Sequence, residues 1–395
     1  MDQLDKAFSS RSTNASRERR VKILSLLRQR GPMTRAEIAR ASGIAKSSVS
    51  ILVDKLLLEG HIHEVRSSSD NRSKSVRGRP GDLIVIDPSA GAAIGIEISF
   101  GKIIGVIGDV SHEVLASTTI EFDSSSNTNQ MMKMCQSIVS ELLSTTRVTP
   151  SRILGIGLGI ASSINKFGED RYNFSQEIAN TTTIATKLSD LTGFEIHVEN
   201  SANLAGYAEM IWGAGKAFEY FLYFKLDQDI DGALIVNRSV VSGANGGVAD
   251  FGHIVLDVNG PMCSCGLRGC LTAYAGLEST IKQASVALGH EVSLKNFLDF
   301  VEKSDFLCKQ LMEDCAHRLG QGMSYLSRVL NPEAIILGSS CVTLSPELTR
   351  VLSQSFSKYS LNKNQYIRIL DGQLGELAGA LGAAATVLNH PLVSI

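Results

Sequence analysis

The sequence lacks any apolar run of the about 18 residues that a membrane-spanning helix needs. Its first 20 residues are charged and polar, which is unlike a secretory signal peptide. Cysteine occurs seven times, an odd number that fits a reducing compartment better than a framework of paired disulfides. We therefore expect a cytoplasmic protein that has no membrane partner.

What the chain does have is an uneven distribution of charge. It is 395 residues long, 44% hydrophobic and 20% charged, as in an ordinary soluble protein of two or three domains. Residues 1–80 hold 17 basic and 8 acidic side chains, a net charge of +9, and the remainder carries −11. A basic head on an acidic body is typical of nucleic-acid binding by the head alone. A solvated basic tail is the alternative.

The head has the apolar periodicity of three helices followed by a strand. Apolar residues recur at helical spacing until Gly31-Pro32 ends the first helix. Thr34-Arg-Ala-Glu37 is a capping box that begins the second helix. Ala45–Glu59 has a helical apolar stripe, and His61–Val65 alternates like a strand. This order predicts a winged helix-turn-helix domain over residues 1–66.

The third helix of such a domain enters the major groove of DNA. Arg35, at the start of the second helix, suits a contact with a phosphate. The outward N-terminal residues of the third helix are small hydroxyls and one cation, which can approach bases and phosphates closely: Lys46, Ser47, Ser48 and Ser50. We predict a double-stranded DNA operator as the partner. A protein-binding module of the same shape is the alternative, but the charge asymmetry argues against it.

A polar, serine-rich linker is expected over residues 67–82, and it contains Arg77-Gly78-Arg79-Pro80. These four residues match the core of an AT-hook, in which Arg77 and Arg79 would enter a narrow A·T-rich minor groove. The alternative is a stiff joint between domains, because proline fixes φ and glycine bends the chain.

A candidate metal site lies in the second half of the chain. His253 is followed after nine residues by Cys263-Ser-Cys265-Gly-Leu-Arg-Gly-Cys270. Imidazole and thiolates are the ligands that suit Zn²⁺, and four of them close a tetrahedral structural site. The two glycines let the backbone turn tightly enough to bring the sulfurs together. We predict a structural zinc with no open position for water, the alternative being three buried thiols beside a chance histidine.

The same residues carry a family resemblance. Asp250-Phe-Gly-His253 followed by the Cys-x-Cys-Gly-x-x-Gly-Cys segment resembles the zinc signature of the repressor/open-reading-frame/kinase (ROK) family, from about Ala92 onward. That family contains sugar kinases of the actin-like ATPase fold and sugar-responsive repressors with an N-terminal winged helix. The resemblance implies an α/β body over residues 83–395, with actin-like lobes at about 83–200 and 201–395. It also implies a homodimer or higher homo-oligomer.

Against the family pattern, the chain lacks the catalytic base. Family kinases use the aspartate of an Asn-Asp-Ala-Asn segment, and here the segment reads Asn200-Ser201-Ala202-Asn203. Serine cannot accept the sugar proton at neutral pH without a base of its own. One sugar-contacting glutamate is shortened to Asp250 and another is replaced by Thr272, whereas His253 is kept. The resemblance thus implies effector binding by Asn200, Asp250 and His253, and no catalytic residue.

Two turns that hold phosphate in family kinases are altered too. The first keeps the acid Glu97 but has Phe100 where only glycine would allow a close backbone approach cheaply. The second contains three carboxylates in Asp227-Gln-Asp-Ile-Asp231-Gly, which would repel a triphosphate. That turn also matches the first half of an EF-hand, but Arg238 stands where the bidentate glutamate belongs. We expect an acidic hairpin turn there.

The patterns of the head predict a winged helix-turn-helix, and the family resemblance implies that a two-lobed actin-like ATPase (ROK) fold follows it. Together they indicate a DNA-binding transcription regulator, most simply a repressor. The degenerate kinase body would sense a sugar or phosphosugar of carbohydrate metabolism and would dimerise. One alternative is an active sugar kinase that carries a DNA-binding head. Another is a scaffold whose body binds a second protein.

Overall fold

The computed structural model describes residues 19–66, 82–160, 181–338, 346–361 and 366–389, apart from positions 29, 100, 123–127, 245–247 and 304 within them. A small head is followed by two lobes, and each lobe is built around a five-stranded sheet. Within these residues, no helix is both long and apolar enough to cross a membrane.

The head contains the three predicted helices: α1 over residues 19–28, α2 (Arg35–Ser42) and α3 (Lys46–Leu58). The predicted capping box begins α2, since the Thr34 hydroxyl accepts from the Glu37 N–H and the Glu37 carboxylate accepts from the Thr34 N–H. α2 ends at Gly43, whose φ of 69° is left-handed. Apolar side chains of all three helices close the head core: Ile23, Leu24, Leu27, Ile38, Val49, Leu52, Val53 and Leu56.

A three-stranded sheet forms the wing. Its order is β1–β3–β2, with β1 at Met33–Thr34, β2 at Ile62–Val65 and β3 at Leu83–Ile86. β3 is antiparallel to both neighbours. We expected Leu83–Ile86 to open the body, but it is the return strand of the wing. The physical reason is that its alternate residues Ile84 and Ile86 need a covered face, and they are buried in the cluster that holds the head core.

The first lobe has the strand order β6–β5–β4–β7–β8. The strands are β4 (Ala92–Ser99), β5 (Lys102–Asp109), β6 (Val114–Glu121), β7 (Ile153–Ile160) and β8 (Ile196–Asn200). The first three are antiparallel, and β7 and β8 run parallel to β4. Two helices, α4 (Thr128–Thr146) and α5 (Thr181–Thr192), contribute apolar side chains to the core of this lobe.

The second lobe repeats this arrangement, which agrees with the two lobes that the family resemblance implied. Its sheet order is β11–β10–β9–β12–β13, with β9 (Phe221–Leu226), β10 (Ile230–Val236), β11 (Ser239–Val240), β12 (Ala334–Gly338) and β13 (Arg368–Asp371). β9, β10 and β11 are antiparallel, and β12 and β13 are parallel to β9. The helices of this lobe are α7 (Leu271–Ala275), α8 (Leu277–Leu288), α9 (Leu294–Glu302), α10 (Phe306–Leu330) and α11 (Pro346–Tyr359).

Two packed helices connect the sheets: α6 (Ser201–Ile211) contacts β9 and β10, and α12 (Ala378–Asn389) contacts β4 and β7. The sequence placed residues 201–395 in the second lobe, but α12 lies against the first. Glycines in the strands explain the close approach. A Cβ at Gly95 would lie 1.9 Å from the Ala380 carbonyl oxygen, and one at Gly157 would lie 2.1 Å from that of Ala383.

Candidate functional site

The four predicted metal ligands come together between β11 and α7. The ligand atoms of His253, Cys263, Cys265 and Cys270 all lie within 4.8 Å of one another. Cys265 Sγ is 3.6 Å from Cys270 Sγ, and Cys263 Sγ is 3.6 Å from His253 Nδ1. A tetrahedral site with Zn–S distances of about 2.3 Å has edges of roughly 3.7 Å. The donor set and its spacing therefore fit a bound metal ion.

Glycine geometry accounts for the shape of this metal-binding loop. Gly266 has a φ of 83° and Gly269 a φ of 70°, both in the left-handed region. A Cβ on Gly269 would lie 1.6 Å from the Asp257 carbonyl oxygen, so no other residue fits there without movement. The predicted role of these glycines is confirmed, because they turn the chain between Cys265 and Cys270.

The predicted effector residue Asn200 links the two lobes. It ends β8 and caps α6, since its Oδ1 accepts from the backbone N–H groups of Ala202 at 2.7 Å and Asn203 at 3.0 Å. Its Nδ2 donates to Asp231 Oδ2 at 2.8 Å. Asp231 lies on β10 of the second lobe, so this hydrogen bond crosses the cleft.

Sequence reasoning assigned Asp231 only to the acidic turn and missed its place in the cleft. Burial raises the pKa of Asp231 to about 6, although the hydrogen bonds from Asn200 and the Gly232 N–H oppose the shift, and the charge of Asp250 adds to it. The glycine at position 232 was a sequence signal for close packing at this point of β10. Gly232 leaves room for the Phe251 ring, since a Cβ there would lie 2.3 Å from that ring. This packing brings the segment with Asp250 and His253 against β10.

A buried lysine occupies the position next to the lost catalytic base. Lys225 Nζ donates to Ser201 Oγ at 2.8 Å and to the carboxylate of Glu97, and it lies 3.4 Å from Asp227 Oδ2. Lys225, Ser201 and Glu97 are all buried. Burial alone would lower the pKa of Lys225, but the charges of Glu97 and Asp227 outweigh it and raise the pKa above its ordinary value. A protein cation thus joins β9 of one lobe to β4 of the other.

The three carboxylates of the acidic turn each have a different partner. Asp227 pairs with Lys225, and Asp231 accepts from Asn200. Asp229 Oδ1 accepts from the Thr272 hydroxyl at 3.1 Å. The hairpin turn itself is confirmed, because Leu226 and Ile230 are paired on either side of residues 227–229. Each acid is therefore satisfied by a neighbour.

The predicted DNA-contacting residues of α3 are partly accessible. Lys46 and Ser47 are exposed at its first turn, and Ser48 and Ser50 are half-buried. Ile51 follows Ser47 by one turn and is 59% exposed, an apolar group that sequence reasoning did not single out. Its only sequence signal is that it falls outside the buried stripe of α3. The outer face of α3 therefore offers a cation, a hydroxyl and an apolar group.

Arg35 is engaged within the head. Its guanidinium pairs with Asp54 on α3 at 2.7 Å and with Glu64 on β2 at 2.9 Å. It therefore ties α2, α3 and the wing together. Arg77 and Arg79 of the predicted AT-hook, and Phe100 of the first phosphate turn, lie outside the described residues.

Comparison with known proteins agrees with this geometry. Residues 93–390 match the ROK family, and residues 18–74 match the MarR family. The xylose repressor of Bacillus subtilis (strain 168) is 26% identical over 373 residues, which cover 93% of this chain and 94% of that protein. The DNA-binding transcriptional repressor Mlc of Escherichia coli (strain K12) is 21% identical over 387 residues, which cover 94% of each chain.

A solved structure extends the likeness to the whole fold. A ROK family transcriptional regulator described as a homologue of E. coli Mlc aligns with a TM-score of 0.79 at 18% identity, over 96% of this chain and 98% of that one. Fold and site thus define a winged-helix head on a two-lobed, actin-like body. The chain belongs to the ROK family.

Proposed function

We propose that this protein is a DNA-binding transcriptional repressor whose body binds a sugar without phosphorylating it. The contact of Lys225 with Ser201 and Glu97 supports the claim that the bound sugar is not phosphorylated. A kinase needs a carboxylate that accepts the sugar proton, and here a serine hydroxyl accepts a hydrogen bond from an ammonium group. The likeness to xylose repressors and Mlc over more than nine-tenths of the chain supports the claim that the protein is a DNA-binding repressor.

The metal in our proposal is a structural Zn²⁺ held by His253, Cys263, Cys265 and Cys270. Three thiolates and an imidazole leave no place for a water ligand in a tetrahedral site, so the ion would fix the loop and take no part in a reaction. The ring nitrogen of His253 that faces Cys263 is Nδ1. Asp250 lies three residues before His253. The ion would therefore hold both Asp250 and His253, two of the proposed effector-binding residues, in place.

The proposed effector is a neutral sugar, with a pentose such as xylose as the first to test. Asn200, Asp231, Asp250 and His253 come from both lobes, and carboxylate and amide groups suit sugar hydroxyls. A ligand bonded to both sides of the cleft would favour one relative position of the lobes over another. The sugar would thereby change the position of the head on the body.

On DNA, Lys46 and Ser47 of α3 would contact phosphate and base edges, and Ile51 suits the methyl group of thymine. Arg77 and Arg79 would add contacts in the minor groove beside the operator. We propose a cytoplasmic homodimer, because two heads are needed to bind two half-sites of a palindromic operator.

Three measurements test the proposal. Genome-wide occupancy of the protein identifies the operator, and anisotropy titrations with that fragment should give salt-sensitive binding that weakens on addition of xylose or another sugar of the target pathway. A coupled assay with ATP and a panel of hexoses and pentoses should show no turnover. Enzyme-like turnover, or no salt-dependent binding to any recovered fragment, would defeat the proposal.

A further inference from the structure

A second cavity lies away from the cleft, between the head and the body. Its volume is about 810 Å³, enough for a small organic ligand. α1 contributes one wall, and the turn after β5 and the end of α6 contribute the others. The cavity is lined by polar and aromatic side chains that could contact a ligand: Arg28, His112, Tyr207, Trp212, Lys216 and Arg238. Among the described residues that line it there are three cations and no aspartate or glutamate.

Arg28 provides a buried cation, one nitrogen of which has no hydrogen-bond partner among the described residues. Its Nε donates to the Val110 carbonyl at 2.6 Å and its Nη1 to Asn389 Oδ1 at 2.5 Å, so the head is bonded to the body through this side chain. This unpartnered nitrogen is Nη2, which is buried. Burial lowers the pKa of Arg28 to about 10, although Tyr207 and Asp109 oppose the shift. A buried guanidinium of this kind is stabilised by an anion.

His112 provides a second buried polar atom that has no hydrogen-bond partner in the part of the chain that the structure describes. Its Nε2 is buried, and none of the described groups bonds to it. The residue has a φ of 72°, a left-handed conformation that is uncommon outside glycine. The turn holds it there, because its backbone N–H donates to the Asp109 carbonyl while the Asp109 carboxylate accepts from Ser111 and from the Glu113 N–H. The imidazole stands edge-on to Trp212, with ring centroids 5.0 Å apart.

The remaining cations lie at one side of the same cavity. Lys216 is exposed. The Arg238 guanidinium donates to the backbone carbonyls of Met210 and Lys216, which fixes it in place without neutralising its charge. The apolar surface of Trp212 and Tyr207 lies beside these charges. The cavity therefore combines a positive field with aromatic surface of the kind that holds a sugar ring.

We propose that this joint cavity, made of the walls named above, binds a small phosphate monoester, with a phosphorylated sugar as the class that fits its size. Its phosphate would accept from Arg28 Nη2 and lie near Lys216, and its carbon skeleton would face Trp212. The site is distinct from the cleft that holds Asn200, yet α6 joins them, since Asn200 caps one end and Trp212 follows the other. At about 1.5 Å per residue this helix is about 16 Å long. A ligand here would touch head and body at once.

The single tryptophan of the chain gives a direct readout. Full-length protein is titrated with inorganic phosphate and, separately, with glucose 6-phosphate, and Trp212 emission is followed at constant ionic strength set with potassium chloride. We expect a saturable change with both probes, tighter for the sugar phosphate, and about tenfold weaker binding in Arg28→Gln because a charged hydrogen bond is lost. Lys216→Gln should weaken binding several-fold without touching the core.

Arg30→Gln is the matched control, because Arg30 is an exposed cation with helical backbone at the end of α1 and does not line this cavity. It should bind both probes as the unmodified protein does. A thermal melt checks the folding of Arg28→Gln, and Lys216→Gln keeps the test valid if that variant unfolds. The proposal is overturned if the emission does not saturate, if potassium chloride alone produces the change, or if Lys216→Gln binds as tightly as the unmodified protein. No DNA is used, so failure here leaves the repressor proposal intact.

Discussion

Lys225 Nζ lies 2.8 Å from Ser201 Oγ, and the same ammonium group donates to Glu97 on the other lobe. The three side chains are buried together between β4, β9 and the start of α6. A positive charge from the protein is thus placed in the cleft, where it pairs with Glu97 of one lobe and lies beside Asp227 of the other. Breaking a buried pair is costly because it leaves one charge without a partner.

The first prediction concerns this pair. Lys225→Met leaves the Glu97 carboxylate buried and unpaired, so we expect it to destabilise the protein by about 3–5 kcal/mol. Glu97→Gln combined with Lys225→Met removes both charges and should recover part of that loss. Urea unfolding monitored by circular dichroism measures the free energy of unfolding of each variant. If the double variant is as unstable as Lys225→Met alone, the unpaired charge of Glu97 is not the cause of the lost stability.

Local signals in the sequence predicted the local structure well. The capping box at Thr34 and the turn at the glycines of the metal loop are each decided by residues a few positions apart, and both are found. Three of the four metal ligands likewise lie within one short segment, and His253 precedes it by ten residues. Chemistry that depends on neighbouring residues can be predicted from their spacing.

Pairings between distant segments could not be predicted in this way. Leu83–Ile86 has the composition of a strand, but nothing in it says that β2 of the head is its partner. In the sequence, Asp231 is one of three acidic residues of a predicted turn. Its position in the cleft follows from the antiparallel pairing of β10 with β9, in which Asp231 lies opposite Lys225. Lys225 itself lies in an apolar strand and gave no sign of its contact with Ser201. The contacts that place these residues join distant parts of the chain: Ile62 pairs with Ile86, Asn200 with Asp231, and Ser201 with Lys225.

The second prediction is that the purified protein contains about one zinc per chain. Cys265→Ser removes a thiolate and should lower the zinc content at least tenfold, because the remaining three ligands leave the site open. Elemental analysis after dialysis measures the content. Cys308→Ala is the matched control, since Cys308 is a buried free thiol on α10, outside the cluster. Equal zinc in the unmodified protein and in Cys265→Ser would contradict the assignment.

The third prediction concerns DNA affinity. Lys46→Ala with Ser47→Ala removes one phosphate contact and one hydroxyl from the exposed start of α3. We expect operator binding to weaken at least tenfold and the salt dependence of log Kd to become shallower by about one. Anisotropy titrations at several salt concentrations measure both. Lys133→Ala, an exposed cation on α4 of the body, should change neither. Unchanged affinity of the double variant would place the DNA surface elsewhere.

The fourth prediction separates stability from DNA contact at Arg35. Its pairs with Asp54 and Glu64 are partly exposed, so Arg35→Ala should destabilise the head by about 1 kcal/mol. Arg40→Ala, an exposed residue in the last turn of α2, should have little effect on stability. Thermal unfolding of the two variants measures the difference. If Arg35→Ala is as stable as the unmodified protein but binds DNA more weakly, Arg35 acts on phosphate as first predicted.

The last prediction is a pH dependence that comes from Asp231. Its folded-state pKa of about 6 lies above its ordinary value of 3.8, so the folded protein keeps a proton that the unfolded chain has released. Its contribution to stability is therefore largest below pH 4 and falls as pH rises through 6, by roughly 3 kcal/mol in all. Asp231→Asn cannot ionise, so its stability relative to the unmodified protein should increase across that window and then level off. Asp190→Asn, at an exposed site on α5, should show no such change. Urea unfolding at each pH measures the difference, and a flat difference between pH 4 and 6 would mean that Asp231 is not buried against Asn200.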